Sequence, residues 1–133
     1  MKTIYRLFFV ILFSISISSC FQDKPGTIIK VSPEEAESLI ETNKVKLIDV
    51  RKDLDFNKKH LKGAVNMEIE NTDLEKILSS LDKEEPLLLY CNKGGQSARC
   101  AKILEENGFL KIYDLTGGIQ QWEKSGRKVI VQN

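Results

Sequence analysis

Pro86-Leu87-Leu88-Leu89-Tyr90-Cys91-Asn92-Lys93-Gly94-Gly95-Gln96-Ser97 decides how this chain is read. The run from Leu87 to Tyr90 is continuously apolar, the pattern of a strand buried on both faces of a parallel sheet. A polar loop headed by Cys91 and carrying two glycines follows. From Ser97 to Asn107 the spacing turns helical: Cys100, Ala101, Ile103 and Leu104 share one face, and Lys102, Glu105 and Glu106 take the other. Gly108 is a natural stop for that helix. Ligands of open parallel sheets sit beyond the carboxyl ends of the strands, which is where Cys91 falls.

The same alternation extends in both directions. Thr27 to Val31 is a short β-rich run. Ser32-Pro33-Glu34-Glu35 then opens a helix to about Thr42, with Ser32 and Glu35 spaced as a capping box and Pro33 at the first helical position. Val45 to Val50 reads as the next strand, Leu54 to Lys59 as one or two helical turns, and Ala64 to Met67 as a brief strand. Asp73 to Leu81 places Leu74, Ile77, Leu78 and Leu81 at helical spacing. Lys111 to Leu115 is the last clear strand, Ile119 to Lys124 a final helix, and Val129 to Val131 an edge strand. Five strands alternating with helices predict an α/β fold with three α/β/α layers, a mainly parallel sheet being covered on both faces.

Composition narrows the function. The chain has 133 residues, 41% hydrophobic and 29% charged, which is ordinary globular usage. Twenty Lys and Arg balance nineteen Asp and Glu to a net +1, so bulk charge predicts no nucleic-acid partner. One His and three Cys, without CxxC or HxxxH spacing, predict no metal site.

A Cys at the head of a glycine loop before a helix has a physical rationale. The helix dipole and its free N-terminal amides favour an anion there, and loop amides turned inward form a nest for a charged sulfur. The anionic form is the nucleophile. Gly94 and Gly95 permit the tight backbone, and Lys93 adds positive charge at the rim. A buried strand-end Cys followed by a simple turn fits this loop equally well.

The wider chain adds to this. Leu47-Ile48-Asp49-Val50-Arg51, then Phe56 to His60 with Leu61-Lys62-Gly63-Ala64-Val65-Asn66, resemble the two N-terminal signatures of the rhodanese family. Tyr90-Cys91 through Ser97 resembles its active-site loop, and Gly108-Phe109, Leu115-Thr116-Gly117-Gly118-Ile119 and Trp122 resemble its C-terminal signature. The resemblance implies a sulfurtransferase that moves sulfane sulfur through a cysteine persulfide and needs no cofactor. It implies Cys91 as the persulfide-forming nucleophile. Asn92, Lys93, Gly94, Gly95 and Gln96 then form the loop that holds the transferred sulfur, and Ser97 closes the loop and caps the helix. It implies structural support from Asp49, Arg51 and His60. The implied partners are a small sulfur-containing anion or persulfide as donor, with a thiophile or an envelope protein as acceptor.

One position departs from the family pattern. The common loop ends in Arg where this chain has Gln96. Arg offers a fixed cation and a donor fork suited to thiosulfate-like anions, so weak activity toward thiosulfate is expected. Arg99 is read as a solvated residue rather than a replacement. The loop from Cys91 to Gln96 has the sulfurtransferase length. The related phosphatases and arsenate reductases resemble a version one residue longer that ends in Arg, and Ser97 stands there. Cys100 is read as a small buried residue rather than a resolving thiol, and Trp122 as an anchor of core or rim.

The N-terminus reads as an address. Lys2 and Arg6 precede a mostly apolar run from Leu7 to Ile17, well short of the roughly 20 residues that span a bilayer. Ile17-Ser18-Ser19-Cys20 resembles the bacterial lipobox, which implies removal of residues 1–19, lipidation of Cys20, a tether over 20–26 and a domain over 27–133. Phe21 after the Cys resembles outer-membrane sorting in Gram-negative bacteria, so a lipid-anchored, periplasm-facing protein is expected. Two other readings remain: a non-catalytic binding module of the same fold, and a thiol redox protein using Cys91 and Cys100.

Overall fold

The computed structural model describes residues 26–70 and 73–132; residues 1–25, with the signal segment, Cys20 and nearly all of the tether, lie outside them. Strands β1 (Thr27–Val31), β2 (Lys46–Asp49), β4 (Val65–Asn66), β5 (Leu87–Tyr90) and β6 (Lys111–Leu115) form a five-stranded sheet in the order β1-β6-β5-β2-β4, all pairs parallel. The α/β fold with a five-stranded parallel sheet is therefore the one the sequence predicts.

Period-two patterning builds the layers. Leu87 and Leu89 on β5, with Ile48 on β2 and Ile112 on β6, pack on one face against Cys100, Ala101 and Leu104. These three belong to helix α4 (Gly95–Glu106). Leu74, Ile77 and Leu78 of α3 (Leu74–Ser80) pack at the margin of that cluster. Leu88 and Tyr90 face the other way, with Leu47 and Leu115, onto Ala36 of α1 (Pro33–Glu41) and Ile119 and Trp122 of α5 (Gly118–Lys124). The central strand β5 is buried at every position. Helix α1 starts on a complete capping box: the Glu35 N–H donates to Ser32 Oγ at 3.2 Å, and the Ser32 N–H to the Glu35 carboxylate at 2.8 Å.

Three local expectations need correction. The segment Val129–Val131 does not extend the main sheet: its last two residues form β7 (Ile130–Val131), which pairs antiparallel with β3 (Lys59–His60) in a separate two-stranded sheet. Helix α2 covers Asp53–Lys58 and so ends where β3 begins. Helix α4 begins at Gly95, two residues before Ser97, because Gly94 takes a left-handed conformation (φ 109°) that turns the chain into the helix.

Candidate active site

Cys91 stands directly after β5, with α4 opening over it. Its side chain is nearly enclosed, the residue being 2% exposed. The Gly94 N–H donates to Cys91 Sγ at 3.1 Å. This is the one amide hydrogen bond to the sulfur among the described residues; the ring of amides from 92 to 97 expected from the sequence reduces to it. The amides of Gly95, Gln96 and Ser97 are the free donors of the first turn of α4, which starts on a glycine without a side-chain cap. The dipole of this twelve-residue helix is positive at that end.

The carbonyls beside the sulfur are held by α5. The Ile119 N–H donates to Cys91 O at 2.9 Å and the Gln120 N–H to Asn92 O at 3.2 Å. Gly118 allows this approach, since a Cβ there would lie 2.4 Å from Cys91 O and 2.6 Å from Asn92 O. The start of one helix thus fixes the acceptors of the loop, while the start of another offers donors to it.

Ser97 is buried and does not cap α4: it sits inside the first turn and joins the loop to the sheet. Its hydroxyl donates to Asp114 Oδ1 at 2.6 Å and also lies 3.2 Å from Gly94 O. Its oxygen accepts from Cys91 Sγ at 3.5 Å. Asp114 is fully buried on β6 and forms an ion pair with Lys30, its register partner on β1. A chain of polar contacts therefore runs from the sulfur through Ser97 to a carboxylate with its own counter-ion.

The other sequence-singled residues fall in two groups. Asn92, Lys93 and Gly95 are exposed, and Gly94 and Gln96 are half-buried, all around the loop. Asp49, Arg51 and His60 make no contact with Cys91 among the described hydrogen bonds and ion pairs. Arg51 Nε donates to Asp49 Oδ1 at 3.0 Å and Oδ2 at 3.1 Å, and Nη2 donates to Asp49 Oδ2 and to Lys59 O, each at 2.7 Å. Arg51 also lies over the Tyr90 ring, whose hydroxyl accepts from the Leu61 N–H at 3.1 Å. Burial, then the Asp49 charge, raises the Tyr90 phenol above its ordinary value. His60 stacks on Phe56 with centroids 4.1 Å apart, and its Nδ1–H donates to Phe56 O at 2.9 Å.

Arg99 is not free. Its Nε donates to Glu70 Oε1 at 2.7 Å and its Nη2 to Oε2 at 3.3 Å. Asp114, Lys30, Glu70 and the contact at Gly118 were not among the residues singled out from the sequence. Asp114 had a signal: on β6 it occupies the same inward face as Ile112, where an apolar residue belongs.

These pieces match a known pattern. The chain matches the Rhodanese-like domain over residues 32–125. It belongs to the rhodanese-like domain family. Among curated relatives, the thiosulfate sulfurtransferase GlpE of Actinobacillus pleuropneumoniae serotype 5b is 33% identical over 100 residues, covering 75% of this chain and 91% of that protein. The protein of the same description from Shewanella oneidensis is 32% identical over 95 residues, covering 71% and 92%. Among solved structures, the rhodanese-related protein from Thermoplasma volcanium superposes with a TM-score of 0.68 at 23% identity, covering 78% of this chain and 99% of that one. The rhodanese-like domain protein from Staphylococcus aureus gives 0.66 at 22%, covering 79% and 99%. The two superpositions speak to the rhodanese-like fold alone.

Proposed function

We propose that this rhodanese-like chain is a sulfurtransferase carrying sulfane sulfur on Cys91. The sulfur anion of Cys91 attacks the outer sulfur of a donor. With thiosulfate, the S–S bond breaks, sulfite leaves with its electron pair, and Cys91 keeps the transferred atom as a persulfide. An acceptor thiolate then attacks that outer atom and leaves as its own persulfide, returning Cys91 to the anion. No oxidant or cofactor enters either step.

The observation that carries this reading is the Gly94 N–H aimed at Sγ while α5 holds the carbonyls of Cys91 and Asn92. Such an arrangement meets a charged sulfur with donors. The relatives named as thiosulfate sulfurtransferases support the general activity. Gln96 supplies no cation where the family pattern has Arg, so thiosulfate is a weak donor and a persulfide the better one.

Loading the purified protein with thiosulfate or an alkyl persulfide and assaying cyanolysable sulfur tests the reading. About one sulfur per chain is expected in the wild type and none in Cys91→Ser. Equal amounts in both would sink it and leave the non-catalytic module. The redox alternative is weakened by Cys100, which is fully buried, and whose thiol is pushed up to about 12 by burial first and Glu70 next. We further propose that the protein works at the bacterial envelope through a lipidated Cys20.

A further inference from the structure

Glu70 lies in the stretch between β4 and α3, close to the face of α4 that opens over Cys91. Its carboxylate takes two hydrogen bonds from Arg99. Arg99 stands one turn beyond Gly95 and its side chain runs back toward the start of α4, as long helical side chains do. A Cβ on Gly95 would lie 3.9 Å from Arg99 Nη1, so the guanidinium rests beside the first turn, where the free amides are. It is within electrostatic reach of both Cys91 and Cys100. The Glu70 carboxyl is held below its ordinary value by Arg99 first, with a smaller contribution from Gln96, so it carries its charge throughout the neutral range.

We propose that Glu70 is a specificity-determining residue of the Cys91 site, which neutralises Arg99 at the mouth and so selects sulfane donors of low charge, such as alkyl persulfides, over dianionic ones such as thiosulfate. This rests on the sulfurtransferase reading above. The loop has already lost one cation at Gln96. Arg99 is the cation α4 carries beside the free amides, and the Glu70 carboxylate claims its donor fork. An incoming dianion meets a neutral pair whose acidic half repels it, and must break that pair to gain the guanidinium. A donor with a single charge meets a smaller barrier. Both side chains are partly open to water, so the discrimination is moderate and fades with salt.

The test compares the full chain with Glu70→Gln, Arg99→Gln and the double variant at low ionic strength. Two readouts are taken. One is kcat/KM for thiosulfate, a dianion, and for a singly charged alkyl persulfide. The other is the rate of Cys91 alkylation by iodoacetate relative to iodoacetamide, followed on the Cys91 peptide by mass spectrometry. Glu70→Gln is expected to raise the thiosulfate value relative to the persulfide value about fivefold, and the iodoacetate ratio by a similar factor. Arg99→Gln is expected to lower both ratios, and the double variant to lose the gain. A Glu70→Gln variant whose two ratios match the wild type overturns the proposal. If no variant turns over either donor but the alkylation ratio shifts, the selectivity stands and the sulfurtransferase reading falls. A Cys91 that neither turns over nor alkylates with any reagent overturns both.

Discussion

Ser97 serves three partners with one hydroxyl. Its proton goes to Asp114 over the shorter contact, which leaves its oxygen to accept from Cys91. Ser97→Ala removes that link and leaves the buried Asp114 carboxylate with Lys30 alone. The expected cost is about 1–3 kcal/mol in denaturant unfolding. Cys100 gives a pH signature. Its folded value is raised to about 12 from an ordinary 9.0, so the folded state keeps its proton where the unfolded chain has lost it. The resulting stability is intact below pH 9 and is lost as pH rises toward 12. Thermal midpoints taken across that window are expected to fall more gently in Cys100→Ala; Tyr90, whose phenol is also raised, accounts for a remaining slope. An identical slope in wild type and variant would exclude Cys100 as a source.

At the level of elements, two helix starts share one loop. Gly118→Ala would drive a Cβ into Cys91 O and Asn92 O at a positive φ of 59°. The expected result is a loss of about 2 kcal/mol or more and a collapse of persulfide loading. A variant with wild-type loading would show that α5 is not needed to set the loop. Ser32→Ala, far from the site, is expected to cost about 1 kcal/mol in unfolding through its cap and to leave loading unchanged. What was legible in the sequence follows from the same physics. The apolar run of β5 and the 3.6 spacing of α4 leave strong local patterns, so the strand, the helix and Cys91 between them could be read directly. The two-residue strands β3 and β7 have no period to read, and their pairing joins residues far apart in sequence. The start of α4 leaves no such pattern, because Gly94, Gly95 and Gln96 carry no apolar repeat. Asp114, Lys30, Glu70 and Gly118 reach the site from other elements, across separations that local spacing does not encode.

For the molecule as a whole, the parallel sheet places the site beyond the carboxyl end of its central strand β5 and sets β1, which begins at Thr27, at one edge of the sheet. We propose that a chain processed at the lipobox-like segment is anchored through Cys20, seven residues before Thr27 in sequence. The expected outcome is partition of the full-length protein into the detergent phase and of Cys20→Ala into the aqueous phase; equal partition would dismiss the anchor. Leu89→Ala, at the centre of the sheet, is expected to cost about 2–5 kcal/mol, read from the denaturation midpoint.

The chain holds a single tryptophan. Trp122 is 7% exposed, its indole N–H donates to Lys128 O at 3.0 Å, and the Arg127 guanidinium lies 5.7 Å above its ring. It rides on the helix whose first amides grip the backbone of Cys91 and Asn92. The protein thus contains its own label-free optical probe. Emission excited at the red edge of the indole band, where the three tyrosines do not absorb, comes from this side chain alone and reports unfolding at the helix that carries it.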